Sequence, residues 1–286
     1  MSDIPVFFLH GLAYAGLLFL VSAGLTLVFG LMNVLNFAHA AMYMLGAYFS
    51  YTLLQTTGQF WLCIVLCPVM LFAIGALVER FLLRRVHVHG HLHELLLTFG
   101  LAYIITELVK WAWGNFPLAV NVGGFLGSTV DLFGMIYPVY RIFIFACAVA
   151  VGVAMAVILY NTRLGIILRA AVDDNEMVNA LGFDVPRIFT GVFGFGAALS
   201  GLAGVIAGPL LSTYPGMAHE ILVDAFVVIV VGGFGSLGGA VVASLLIGEL
   251  QSFGVLLFPK LSLALVYLLM AAVLIVKPSG LFGEKQ

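Results

Sequence analysis

Charge is scarce in this chain. Of its 286 residues only 8% are Asp, Glu, Lys or Arg, where a soluble domain carries about 25%. A soluble globular protein is therefore excluded. With 11 basic against 13 acidic residues there is no basic face, so nucleic acid is excluded as a partner. Cysteine is also rare. Cys63, Cys67 and Cys147 lie inside apolar runs, which excludes a disulfide framework and marks them as small buried hydrophobes. Cys63 and Cys67 are four apart, but no His or carboxylate lies near them in sequence, so no metal site is expected there. The chain has no G-x-x-x-x-G-K-[ST] loop, no H-E-x-x-H and no Ser/His/Asp arrangement. It is not expected to be an enzyme, to need a cofactor or to hydrolyse ATP by itself. Met1–Pro5 offers no basic n-region, so the first apolar run is expected to be a retained span rather than a cleaved signal.

What is abundant is hydrocarbon. Sixty-three percent of residues are hydrophobic, and the mean hydropathy is +1.20. A helical span takes about 20 apolar residues. Segments 6–29, 35–54, 60–83, 95–113, 140–159, 188–211, 221–231, 240–258 and 261–276 qualify or nearly qualify. The fold class is an all-α polytopic transmembrane helical bundle of about eight or nine spans, forming a single transmembrane domain over 1–286. Arg80, Arg84, Arg85, Arg163, Arg169, Arg187, Lys277 and Lys285 fall on one side, and Lys110, Arg141 and Lys260 on the other. Positive residues concentrate inside, so the first side is cytoplasmic, the N-terminus is outside and the C-terminus inside. The 115–138 loop is then external, with room for a short surface helix or an outside partner.

Several polar features interrupt this background. Asn33, Asn36 and His39 recur every third residue and Tyr43 continues the series, so on a helix they share a face. Groups that both donate and accept suit the path of a small polar solute. The same stretch could instead be a helix–loop–helix turn at the membrane edge, with the asparagines capping helix ends. Glu249 lies in mid-segment, where a carboxylate is a functional candidate by default, although a partner helix or a wet cavity could satisfy it. Glu107 and Lys110, one turn apart, can pair. Glu79 with Arg80, and Asp224, sit near span ends where they can snorkel or cap. His87, His89, His91 and His93 alternate around Gly90, a cytoplasmic loop that could bind a metal only if extended. Gly196, Ser200, Gly204 and Gly208 form a ridge for close helix packing. Gly232, Gly233, Gly235, Gly238 and Gly239 cannot form a helix interior and mark a break, either a gate or a tight turn. They contain a G-x-G-x-x-G after a strand-like 227–231, but an apolar span follows where a nucleotide fold needs a soluble βαβ unit. The Gly-interrupted 24–46 and 232–239 segments hint at an internal repeat around a substrate path. Finally, the 161–187 loop is the one charged stretch. A short amphipathic helix over 172–181, with Arg169, Asp173, Asp174 and Glu176 beside Ala180, Leu181 and Gly182, reads as a partner-docking element.

Four ordered motifs carry a resemblance. Gly24 to Gly30 through Asn36-Phe-Ala-His39 and Met44 to Tyr48 resembles the N-terminal signature of branched-chain amino acid ABC transporter permeases of the LivH type. Arg169 to Gly182 with Ser200 to Gly208 resembles that family's coupling segment and following span. Val231 to Gly239 and Lys277 to Gly283 resemble its C-terminal signatures. The resemblance implies a permease in a bacterial inner membrane. It implies a second, LivM-like permease, two cytoplasmic ABC ATPases that bind the ATP, and a periplasmic solute-binding protein. Arg169, Asp173, Asp174, Glu176, Ala180, Leu181 and Gly182 would couple to the ATPase, and Asn33, Asn36, His39, Tyr43 and Glu249 would line the path. The wider family also imports urea, amides and aromatic acids. An ion-coupled carrier using Glu249 or the Glu107/Lys110 pair, or a metal permease using the histidines, are the alternatives.

Overall fold

A computed structural model describes residues 4–132 and 134–283, and of Asp173 only the backbone. The fold is an all-α membrane bundle. Its helices in chain order are α1 (Ile4–Met32), α2 (Ala38–Thr57), α3 (Phe60–Val78), α4 (Arg84–His87), α5 (His91–Trp113), α6 (Val139–Asn161), α7 (Arg163–Asp173), α8 (Asn175–Ala180), α9 (Val185–Leu211), α10 (Met217–Gly232), α11 (Leu237–Leu257) and α12 (Ser262–Val276). A π-helical turn over Glu79–Leu83 joins α3 to α4 without a break. Six helical stretches are long and apolar enough to cross a membrane. The predicted spans at 35–54, 221–231 and 261–276 are also helices, but α2 is more polar and α10 and α12 have 16 and 15 residues. At 1.5 Å per residue those two reach about 23 Å, short of the ~30 Å hydrocarbon core.

α1 is the spine. It is apolar all round, and 83% of its central window is buried, as a helix without a polar face must be. It packs on α6, α9, α10 and α11, while α2 and α3 pack on α9. The ridge on α9 makes this approach possible. A Cβ on Gly204 would strike the Tyr43 carbonyl, and one on Gly46 would strike Gly201. Ser200 Oγ donates to the His39 carbonyl at 2.6 Å. The outer helices α3, α5 and α6 bury only 17–22% of their windows. They present Val65, Val69, Leu96 and Val153 outward, where lipid costs such side chains nothing. Exposed Trp61 and Trp111 stand at the same end of α3 and α5, as interfacial aromatics do.

Contacts sort the helix ends into two faces. Residues 30–33, 159–172, 234–237 and 282 surround one hollow, and Arg84 reaches Pro186 on the same side. At the opposite face Leu118 bridges Thr213, His10 meets Tyr137 and Trp113 donates to Thr52. The first face carries the described members of the larger basic set and is the cytoplasmic one. Lys285 lies outside the described residues.

The structure resolves four local points. The external 115–138 loop holds no α-helix among its described residues. It forms a 3₁₀ turn (Gly124–Gly127) and an antiparallel hairpin of β1 (Thr129–Leu132) and β2 (Met135–Pro138). The histidine run is not an extended loop. α4 ends at His87, Gly90 turns the chain at φ +95°, and α5 starts at His91. His87 and His91 both address the buried Glu94. Among the described residues no group of three or more His, Cys, Asp or Glu is placed to hold a metal. The strand-like 227–231 is helical, as part of α10, in keeping with the span expected over 221–231. Glu79 pairs with Arg84 rather than Arg80. Arg84 donates to both its oxygens at 3.0 and 3.2 Å, and Thr190 donates to it at 2.5 Å. This buried carboxylate thus ties α3 to the start of α9 instead of snorkelling.

Candidate functional site

The two helix breaks differ in how they are made. α1 stops at Asn33, which adopts a left-handed φ of +53° and closes the last turn onto the Phe29 carbonyl at 2.8 Å. Asn is among the few side chains that tolerate this conformation. The chain then runs extended and α2 begins at Ala38 without a side-chain cap. Thr98 of α5 serves the freed backbone instead, accepting from the Phe37 amide at 3.3 Å and donating to the Leu35 carbonyl at 3.4 Å. Asn33 therefore does not share a helical face with Asn36, His39 and Tyr43. Neither asparagine caps α2 by its side chain. The second break is a tight turn between α10 and α11, with Gly233 and Gly235 at φ +102° and +76°. Ser236 caps α11 by accepting from the Gly239 amide at 3.0 Å. The Leu281 and Phe282 amides take the free carbonyls of Val231 and Gly232 at 2.8 and 2.9 Å. Gly30 packs against Gly235, so the cytoplasmic ends of the two interrupted regions touch.

Between the faces, α1 and α2 carry a set of buried polar groups, called the lane below. His39 and Tyr43, one turn apart on α2, are both buried to 1% exposure. His39 Nε2 lies 2.9 Å from the Val21 carbonyl of α1, while its Nδ1 has no partner among the described residues. Ser22 Oγ, Thr26 Oγ1 and Asn36 Oδ1 are likewise buried and unpartnered. An orphaned buried polar group costs about 1–3 kcal/mol, and Tyr48, Thr213 and Glu249 carry such atoms elsewhere in the bundle. Above them Tyr14 of α1 donates to Asp224 of α10 at 2.9 Å. This pair, 210 residues apart, was invisible to any periodic reading. Asp224 does not snorkel. It is held within the bundle by a phenol.

Each face of the bundle has a cleft. The outer one, of 300 Å³, is walled by Phe7, His10, Tyr14, Arg141, Leu211 and Gln251 among others. The inner one, of 710 Å³, takes in Thr26, Gly30, Asn33, Tyr160, Arg169 and Ser236. Tyr14 and Thr26, both on α1, thus reach opposite mouths. Beside the outer face, burial and the hydroxyl's bond to Glu220 push Tyr214 up to about 12, keeping it a neutral donor. Glu249 stands apart from the lane. Its carboxylate rests on Gly11 of α1, in the space a Cβ would fill, and neither oxygen has a partner among the described residues.

The cytoplasmic elbow is two helices, not one over 172–181. Asp174 breaks the chain at φ −150° and caps α8, accepting from the Met177 amide at 2.9 Å. Thr162 caps α7 and Asp184 caps α9 in the same way. Gly182, at φ +91°, lets the chain leave α8. Ala171, Val178 and Val185 form a small separate core under Ile167 and Phe189. Glu176, Ala180 and Leu181 are exposed, as are Leu164, Val172 and Met177. Arg169 is exposed as well, but its side chain is engaged. It folds back to donate to the Leu159 carbonyl and lies 5.6 Å from the Tyr160 ring, pinning α7 to α6. Asp173 sits at the end of α7, and its side chain is outside the described residues.

No solved structure matches the chain significantly. Curated relatives do. The high-affinity branched-chain amino acid transport system permease protein BraD of Pseudomonas aeruginosa is 27% identical, covering 97% of this chain and 95% of its own. The corresponding LivH protein of Escherichia coli is 26% identical over 100% and 99%. A probable branched-chain amino acid transport permease protein LivH of Methanocaldococcus jannaschii is 27% identical over 94% and 90%. The family described as branched-chain amino acid transport system / permease component matches residues 7–276. The match covers most of the chain, and the chain belongs to this family of membrane transport permease components.

Proposed function

We propose that this chain is one permease subunit of an ATP-driven importer that moves branched-chain amino acids across the plasma (inner) membrane. The observation that carries the reading is the lane of buried, partly unpartnered polar groups from Tyr14 to Thr26, with a cleft at each face of the bundle, in a chain nearly devoid of charge. Hydroxyl, amide and imidazole groups can exchange hydrogen bonds with a passing zwitterion without trapping it. The chain has no P-loop, so the energy comes from two ABC ATPases docked at the exposed face of α7 and α8. A second, LivM-like permease and a periplasmic binding protein complete the assembly. Asn36, His39 and Tyr43 serve the path, Asn33 lines its inner mouth, and the Gly232–Gly239 turn bears on that mouth through Gly235.

The test is uptake of radiolabelled leucine by the complete assembly in proteoliposomes. Asn36→Ala with His39→Ala is expected to cut uptake at least tenfold while the ATPases still co-purify. Normal uptake by that double variant would sink the path assignment.

A further inference from the structure

The outer cleft has a group the lane lacks, a permanent cation. Three basic residues belong to the outer face, Lys110, Arg141 and Lys260. Lys110 is bound to Glu107 at 2.6 Å. Arg141, near the start of α6, instead lines the 300 Å³ cleft. Among the described residues it forms no ion pair. Phe7, Leu210, Leu211 and Val255 are apolar walls, whereas His10, Tyr14, Gln251 and Ser252 are polar. His10 is engaged with Tyr137 and Ser252 donates to the Phe7 carbonyl. Tyr14 lines the cleft with its proton committed to Asp224, which leaves its oxygen an acceptor with a carboxylate beside it.

We propose that this cleft is an outer docking site for one free α-amino acid. Arg141 takes the α-carboxylate through its planar fork. The Gln251 carbonyl and the Tyr14 oxygen accept the α-ammonium, with Asp224 adding attraction. The apolar walls take a branched side chain. A volume of 300 Å³ stands at the small end of the ~300–1,000 Å³ of ligand pockets, which suits a single small solute and not a peptide. The carboxylate, rather than the side chain, is then what the site demands. The assignment rests on the transport reading above.

The experiment uses the complete transporter in liposomes, with the three native cysteines replaced by alanine and Val255→Cys as a reporter at the rim. An impermeant maleimide is added from outside with leucine, leucinamide or glycerol 3-phosphate as probe. Leucine is expected to slow alkylation, and the other two to do so only at about tenfold higher concentration or more, because a charged hydrogen-bonded pair is worth about that factor. Arg141→Gln should raise the half-protecting leucine concentration about tenfold or more. Arg141→Lys, which keeps the charge without the fork, should raise it severalfold and covers the case in which the first variant fails to assemble. Equal protection by leucinamide, or an unchanged half-protecting concentration in either variant, would overturn the site. Protection by glycerol 3-phosphate as good as by leucine would reassign it to a phosphate headgroup and overturn it too. Leucine uptake without protection defeats the cleft alone, whereas no leucine uptake by the parent transporter defeats the substrate reading and the cleft's ligand with it.

Discussion

The lane around α1 and α2 and the elbow of α7 and α8 are both small polar features in a hydrophobic chain, yet they are built by opposite rules. The lane sits where helices pack closely, Gly204 and Ser200 bringing α9 against the backbone of α2. Its polar atoms are left partly unsatisfied there. The elbow has a three-residue core and satisfies its helix ends with caps from Thr162, Asp174 and Asp184. Its apolar side chains, Met177 and Leu181 among them, are the ones left unsatisfied. Rigid packing with orphaned polar atoms suits a conduit. A well-capped, weakly anchored surface with orphaned apolar atoms suits a docking element.

The contrast predicts a graded response to mutation. Gly204→Val should be most damaging, because its side chain meets backbone that cannot move aside. Overpacking typically costs about 1–3 kcal/mol and occasionally more. Loss of detergent-stable protein, followed by fluorescence-detected size exclusion, is the expected readout, and a parent-like profile would show the ridge to be soft. Next in size, Glu176→Lys with Gly182→Ala at the elbow should lower leucine moved per ATP hydrolysed about fivefold or more, with membrane insertion unchanged. Unaltered coupling in that variant would leave the exposed face of α8 without a partner. Asp174→Ala removes one cap, worth about 1 kcal/mol. It should speed amide hydrogen exchange across 175–180 by about fivefold and leave exchange in α2 unchanged, and an equal effect on both would erase the distinction between the regions. Smallest is Ser200→Ala, which deletes one hydrogen bond to the His39 carbonyl for about 1 kcal/mol, read as a shift of a few degrees in thermal stability.

Most of the bundle could be read from the chain because spans are local. Each needs only its own run of apolar residues, and all nine segments are helical. The ridge on α9 was legible for the same reason, since its spacing lies within one helix. The breaks were harder. Glycine content located the second turn, but the first rests on Asn33, whose left-handed backbone carries no periodic mark. In the elbow the apolar and acidic pattern runs on through Asp174, so only the cap geometry reveals that the helix is cut there. Contacts between distant residues were out of reach altogether. Tyr14 with Asp224, and Glu79 with Thr190, join helices that only the fold brings together. The Leu281 and Phe282 amides that close α10 belong with them, because the C-terminal motif was legible while its partner was not.

The central claim is that polar atoms along α1 border a water-accessible lane rather than a dry core. It is tested most directly by thiol accessibility in the assembled transporter without native cysteines. Ser22→Cys and Thr26→Cys are compared with Ala148→Cys, which lies in the apolar groove between α1 and α6. Treatment is with a small cationic methanethiosulfonate, with and without trapped ATP. The account predicts that both α1 positions react in at least one nucleotide state and change with that state, while Ala148→Cys stays inert throughout. Ser22→Cys and Thr26→Cys as inert as Ala148→Cys in every state would contradict it.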